Sequence, residues 1–344
     1  MRHLELLSRY NELKAIIDRV DFSRIWRGFK PLGFALYDDE SCCFEGKMIE
    51  KTAGFLANTA IVFNGEHIAI WNLKEHTDAD ILASKLIHEM FHVFQSMNND
   101  SRWPNELEAL SRYRCDTRNL SIKSLENRLI AMLAERFDTA EFERLLGLRR
   151  MRCDNFGYEY GYEAAVEQIE GTARYVELCA LKQISREKYE QSLASVKRSI
   201  CDTANIIPIR VISYEIGALL LSILKEYELA DFEDFCDTPF AMSLIDDKAS
   251  ADADYADKAI ETLVESYYAE TRRIISGAKE RADCVDEGAF KLLGVNVYDA
   301  RYSDGCIVST SFVMYEDEGR ERVQYGDFVI ELNERGGIKR ILRM

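Results

Sequence analysis

The spacing of apolar and polar residues changes period along this chain of 344 residues. Over residues 1–27, Leu4, Leu7, Leu13, Ile16 and Ile17 recur among charged residues, which predicts a helix or two. Residues 32–73 read as strands instead. Leu32–Tyr37 is one, and 59–63 with 67–71 form a hairpin around Asn64-Gly65, a strong turn dipeptide. A helical period returns at about 78–97 and governs most of 105–280. Long helices are expected over 120–150, 156–185, 210–228 and 252–280, with a break at Asn205–Pro208 and an acidic connection over 236–252. The last fifty residues turn to strands: 296–302, 306–315, 320–325, 327–332 and 338–342. Asp304-Gly305, Glu318-Gly319 and Gly336-Gly337 supply turns between them. The pattern predicts an α+β fold. A mainly helical body would take residues 1–285, with a small antiparallel sheet ahead of the 78–97 helix, and a small antiparallel β module would take 286–344.

The 78–97 helix is unusual in composition. Ile81, Leu82, Leu86, Ile87, Met90, Phe91, Val93, Phe94 and Met97 cover most of its circumference, so it is expected to be buried. Lys85, His88, Glu89, His92, Gln95 and Ser96 form its one polar stripe. Thr77-Asp78-Ala79-Asp80 fits a capping box with Thr77 as N-cap, and Asn98-Asn99-Asp100 ends the helix before Pro104. A buried helix with one polar stripe either lines a cleft or satisfies internal hydrogen bonds, because unpaired buried polar groups are costly.

Within that stripe, His88-Glu89-Met90-Phe91-His92 is an H-E-x-x-H pentad. Positions i and i+4 of a helix project from one face, so the two imidazoles can grip one zinc ion and the carboxylate between them can act on a bound water. A structural pair of histidines hydrogen-bonded to carboxylates is the competing reading.

Catalytic zinc takes three protein ligands. The chain has five histidines and none after His92, so a carboxylate must complete the set. Helical spacing puts Glu163, Glu167, Glu170, Arg174 and Glu177 along one face, and small Gly171 and Ala173 would let a neighbouring helix come close. Glu170 is the leading candidate, with Glu167 and then Glu163 as alternatives. Tyr214 and Arg210, at the start of an expected helix, are candidates to stabilise a developing oxyanion. Glu163 or Glu167 could orient the histidines.

The segment Ile87–Gln95, followed later by Glu170-Gly171-Thr172-Ala173-Arg174-Tyr175, resembles the zincin metallopeptidases of the gluzincin type. The resemblance covers roughly residues 58–175. It implies a zincin-like body, His88, His92 and Glu170 as zinc ligands, and Glu89 as general base. It also implies an edge strand, from the Asn64-Gly65 hairpin, that receives the substrate backbone. The expected activity is zinc-dependent hydrolysis of peptide bonds in a peptide or protein substrate.

Composition narrows the partners. A net charge of −16 speaks against nucleic acid or an anionic membrane as partner. No run of eighteen apolar residues occurs, so no membrane span is expected. The first residues carry charges where a signal peptide needs an apolar core, and the nine cysteines include no C-x-x-C. Reduced thiols and a cytoplasmic location are therefore expected. A second class of function stays open beside the hydrolase: a non-catalytic zincin-like module in which the histidines hold helices together while the β module binds a protein partner.

Overall fold

Tyr10, Leu13, Ile16 and Ile17 form the buried stripe of helix α1 (Arg2–Ile17), the first element of a computed structural model that describes residues 2–52, 54–55, 57–73, 77–245 and 255–344. After α1 come strands β1 (Phe34–Tyr37), β2 (Ser41–Phe44) and β3 (Lys47–Glu50), then the hairpin β4 (Thr59–Phe63) and β5 (Glu66–Asn72). Asn64 and Gly65 have φ of 51° and 83°, the left-handed pair that a two-residue hairpin turn requires. The sheet order is β3-β2-β1-β5-β4, and β1 runs parallel to β5. The sheet is thus mixed, not antiparallel as expected. The β4–β5 hairpin docks on the side of β1 away from β2, so its second strand meets β1 in the same direction.

Helix α2 (Ala79–Met97) carries the pentad. Its N-cap is Asp78 rather than Thr77: the Asp78 carboxylate accepts from the amides of Asp80 and Ile81. Eight elements of the helical body follow: α3 (Glu106–Arg112), α4 (Thr117–Leu133), α5 (Thr139–Asn155), α6 (Gly157–Val166), α7 (Thr172–Ile184), α8 (Arg186–Cys201), α9 (Ile209–Glu226) and the short α10 (Phe240–Ser243). The single helix expected over 120–150 is two, because Asp138 caps a new start at Thr139. The helix expected over 156–185 is α6 and α7 joined by a π turn, Glu167–Gly171. Residues 246–252 of the acidic connection, and 252–254 of the helix expected after it, lie outside the described residues.

Helix α11 (Lys258–Arg281) leads into a sheet of seven strands, ordered β10-β9-β6-β12-β11-β8-β7 and antiparallel throughout. The strands are β6 (Cys284–Val295), β7 (Arg301–Ser303), β8 (Cys306–Ser309), β9 (Phe312–Asp317), β10 (Arg320–Tyr325), β11 (Phe328–Leu332) and β12 (Ile338–Arg343). The longest of them, β6, was not anticipated: bulges against β12 and β9 break the two-residue alternation that marks a strand in sequence. The strand expected over 296–302 reduces to β7, because Asn296 opens a turn in which its carbonyl accepts from Asp299 and Ala300. Ile275 and Ala278 of α11 pack onto one face of this sheet. No helix of the described residues is long and apolar enough to cross a membrane.

Candidate metal centre

Helix α2 lies against α7, and the polar stripe of α2 faces the π turn that precedes α7. That turn is the local feature on which the site depends. A π turn inserts one residue into the helical ladder and rotates everything after it by about 100°. Glu163 and Glu167, before and at its start, point to one side, and Glu170 and Glu177 point to the other. The single acidic face expected from plain helical spacing is therefore split.

Glu170 meets the pentad. Its Oε2 is 3.2 Å from His92 Nε2 and 3.6 Å from His88 Nε2, and the two Nε2 atoms are 3.1 Å apart. A tetrahedral ion with bonds of about 2.0–2.1 Å holds its ligand atoms about 3.3 Å from one another, so the three edges fit one small cation. Among the described residues, His88, His92 and Glu170 are the group arranged in this way. Glu167, the alternative ligand, is unavailable because it is bound by both Nη atoms of Arg149, at 3.0 and 3.1 Å. Glu163 is held by Arg152, Lys123 and Tyr113.

The imidazoles are oriented from behind, though not by Glu163 or Glu167. Gln95, one turn on from His92, donates its Nε2 to the Ile169 carbonyl and to Thr172 Oγ1, both at 3.0 Å. The carbonyl can only accept, which fixes the amide and turns Gln95 Oε1 toward His92 Nδ1, 2.8 Å away. His92 Nδ1 must then carry the proton, and its Nε2 presents a lone pair to the triad. Glu177 plays the same part for His88, with Oε2 3.3 Å from Nδ1, a contact too oblique for a well-formed hydrogen bond. Arg174 steadies Glu177 and also donates to Glu215 Oε2 at 3.1 Å. Both Gln95 and Glu177 lie in segments already singled out by pattern. Their roles depend on a helix pairing that pattern does not reveal.

Electrostatics follow from this geometry. Burial alone would depress His88, but the carboxylates of Glu170 and Glu177 against its ring, with the nearby Glu89 charge, outweigh it and raise its pKa to about 10. Burial pushes Glu170 up, yet the charges and hydrogen bonds of His92 and His88, with Arg210, hold it well below its ordinary value. Glu177 is brought down to about 2, against its own burial, by Arg174 and His88. Two carboxylates facing two imidazoles stabilise positive charge between them, which is what a cation site requires.

The remaining candidates sit close by. Arg210 donates to Glu170 Oε1 at 2.6 Å, and its other Nη is ion-paired with Glu106. Both Nη groups of Arg210 are thus engaged by carboxylates, while its buried Nε has no partner among the described residues. Tyr214 lies under the Arg210 guanidinium, 5.4 Å from ring centroid to Cζ, and its buried hydroxyl makes no well-aligned hydrogen bond among the described residues. Burial and the Glu170 charge raise its pKa far above the usual phenol value, so it stays a donor. Glu89 is half-buried on α2 and, among the described residues, has no hydrogen bond or ion pair.

No protein-family model, no curated protein and no solved structure matches this chain. Its functional reading therefore rests on the geometry of these side chains.

Proposed function

We propose that the chain is a zinc-dependent hydrolase, a metallopeptidase of the gluzincin type. His88, His92 and Glu170 would hold the ion, and Glu89 would serve as general base. The observation that supports this most is the triangle of ligand atoms, with edges of 3.1, 3.2 and 3.6 Å, next in sequence to the Glu89 carboxylate, which has no hydrogen bond or ion pair among the described residues. A site built only to tie helices together needs no such free carboxylate.

Zinc, when bound, supplies Lewis acidity that brings the pKa of a water to about 7 and polarises a carbonyl. The protein residues do the rest. Glu89 takes the proton of the attacking water and returns it to the leaving amine. Gln95 and Glu177 keep the Nδ1 protons in place so that both Nε2 atoms face the ion. Arg210 engages one oxygen of Glu170, leaving the other for the site. Tyr214 would be the donor for the oxyanion, because its buried hydroxyl stays protonated and makes no well-aligned hydrogen bond among the described residues. The outer strand β4, packed against α2, offers an open backbone edge to an extended peptide.

Zinc content of the purified protein, measured beside Glu170→Ala and Glu89→Gln, tests this. About one zinc per chain is expected in wild type and in Glu89→Gln, and substantially less in Glu170→Ala. Glu89→Gln should also lose about 100-fold or more in peptide turnover. Undiminished turnover in Glu89→Gln would refute the mechanism. Absence of zinc from the wild type after supply of the ion would return the histidine pair to a structural role.

A further inference from the structure

The helical body and the C-terminal sheet border a half-open cavity of about 320 Å³ next to the candidate metal centre. Its walls come from α3, the start of α9, α11 and the 297–302 segment before and within β7. Arg210 lines the cavity and at the same time donates to Glu170 Oε1 at 2.6 Å, and Glu106, another wall residue, is ion-paired with Arg210. The cavity thus ends one side chain away from the proposed ligands.

The wall chemistry is that of an apolar slot. Tyr113, Tyr162 and Tyr268 line it, and their hydroxyls are already engaged, with Glu163, Glu106 and the Cys115 amide. Their rings are the part left without a polar partner. Leu110, Ile209 and Leu263 add aliphatic surface. Of the charges in the wall, Glu106 pairs with Arg210, Glu270 pairs with Arg273, Arg301 lies over the Tyr267 ring at 5.2 Å, and Asp299 accepts from Thr310 Oγ1 while its buried Oδ1 has no partner among the described residues. The volume lies at the small end of the range of about 300–1,000 Å³ for ligand sites, sized for one large side chain rather than a whole cofactor.

We propose that this cavity is the specificity pocket of the hydrolase and takes one large uncharged side chain, aromatic or branched aliphatic, of a peptide substrate. The word substrate rests on the hydrolase reading; the preference of the cavity for such a side chain does not. The β module then has a role in recognition, since the 297–302 segment forms part of the pocket wall.

The test is binding of short capped peptides, identical except for one residue (Phe, Leu, Lys, Glu or Gly), to the full-length protein by calorimetry, with zinc content measured on the same samples. Phe and Leu peptides should bind at least about ten-fold more tightly than the Lys, Glu and Gly peptides, since burying such a side chain favours binding by that much or more. Ser266→Trp, at an exposed wall position on α11, and Ala300→Trp should each remove that advantage while leaving zinc content unchanged. Equal binding of all five peptides, or a preference that survives both plugs, would overturn the pocket even if zinc and turnover are present. Loss of the preference in the plugged variants would uphold it even in a protein without zinc or turnover, and the hydrolase reading would then fail alone.

Discussion

Gly171 and Gly217 mark the closest approach between the π turn and α9, and a single methyl there should be felt both in stability and at the metal centre. A Cβ on Gly217 would lie 2.8 Å from the Glu167 carbonyl oxygen, 2.9 Å from Glu167 Cα and 2.9 Å from Gly171 Cα. All three are backbone atoms, and each is at least 0.5 Å inside the 3.4 Å where ordinary contact begins (3.4 minus 2.9). No rotamer change relieves this, so α9 and the π turn must separate. Overpacking of this kind costs about 1–3 kcal/mol, and rigid backbone on both sides argues for the upper end. Replacing a helical glycine by alanine returns about 1 kcal/mol. Gly217→Ala should therefore lose about 2 kcal/mol net. Gly161→Ala is the control, because Gly161 lies within α6 and a Cβ there meets nothing within 4 Å. That variant should gain up to about 1 kcal/mol, the bare propensity difference. Urea denaturation followed by circular dichroism and by fluorescence, with coincident transitions, gives the comparison. Zinc affinity adds a second readout, since Glu170 precedes Gly171 and must move with it. If Gly217→Ala matched Gly161→Ala in stability, or bound zinc like wild type, the crossing would not be the constraint claimed here.

Three further outcomes are expected. Gln95→Ala leaves His92 Nδ1 without its acceptor and should weaken zinc binding about 10- to 100-fold, as measured by competition with a chelator; a change below about two-fold would deny Gln95 its orienting role. Arg149→Ala abandons the buried Glu167 carboxylate and should cost about 3–5 kcal/mol in denaturation, and Arg149→Lys should rescue little because the two-pronged grip is lost; full stability of either variant would count against the pairing. Acid should destabilise the fold through Glu163, whose pKa is brought from its ordinary 4.5 to about 2: burial raises it, but Arg152 and Lys123 more than reverse that. A carboxylate depressed by folding contributes fully above its unfolded pKa, so this contribution fades as pH falls from about 4.5 to about 2. Glu126, pushed up by burial, acts in the opposite sense. Glu163→Gln should flatten the pH dependence of stability in that window, and an unchanged slope would reject the assignment.

The parts of the site legible in sequence are those fixed by spacing within one helix. His88 and His92 share a face because they are four apart, and Asn64-Gly65 turns because its backbone angles suit a hairpin. Glu170 beside the histidines was legible only through the scarcity of other ligands and the small residue after it. Pattern alone does not reveal pairings between distant segments. Lys123 and Glu126 of α4 look like ordinary surface charges, yet both are fully buried, because their partners Arg149, Arg152 and Glu163 arrive from α5 and α6. The parallel β1–β5 contact is invisible for the same reason: strand patterning gives faces, not neighbours. The π turn has no sequence signature here beyond Gly171, so the division of the acidic residues between two sides could not be anticipated.

That division connects the buried charges to the site. Lys123, Arg149 and Arg152 face Glu126, Glu163 and Glu167 in a cluster in which every member is almost entirely shielded from water. Such clusters are expensive to bury, and well-packed apolar residues would serve stability as well or better. What apolar residues would not supply is direction. Arg149 clamps Glu167 at the first residue of the π turn, the Gly171–Gly217 contact clamps its last, and Gln95 binds the Ile169 carbonyl between them. Glu170 therefore stands in a five-residue turn held at both ends and in the middle. Its carboxylate is held again by Arg210. A helix that needed only to be buried would not require its backbone fixed from so many sides. The proposed role of Glu170 as a ligand would require it, because an ion with short bonds and fixed angles tolerates little displacement.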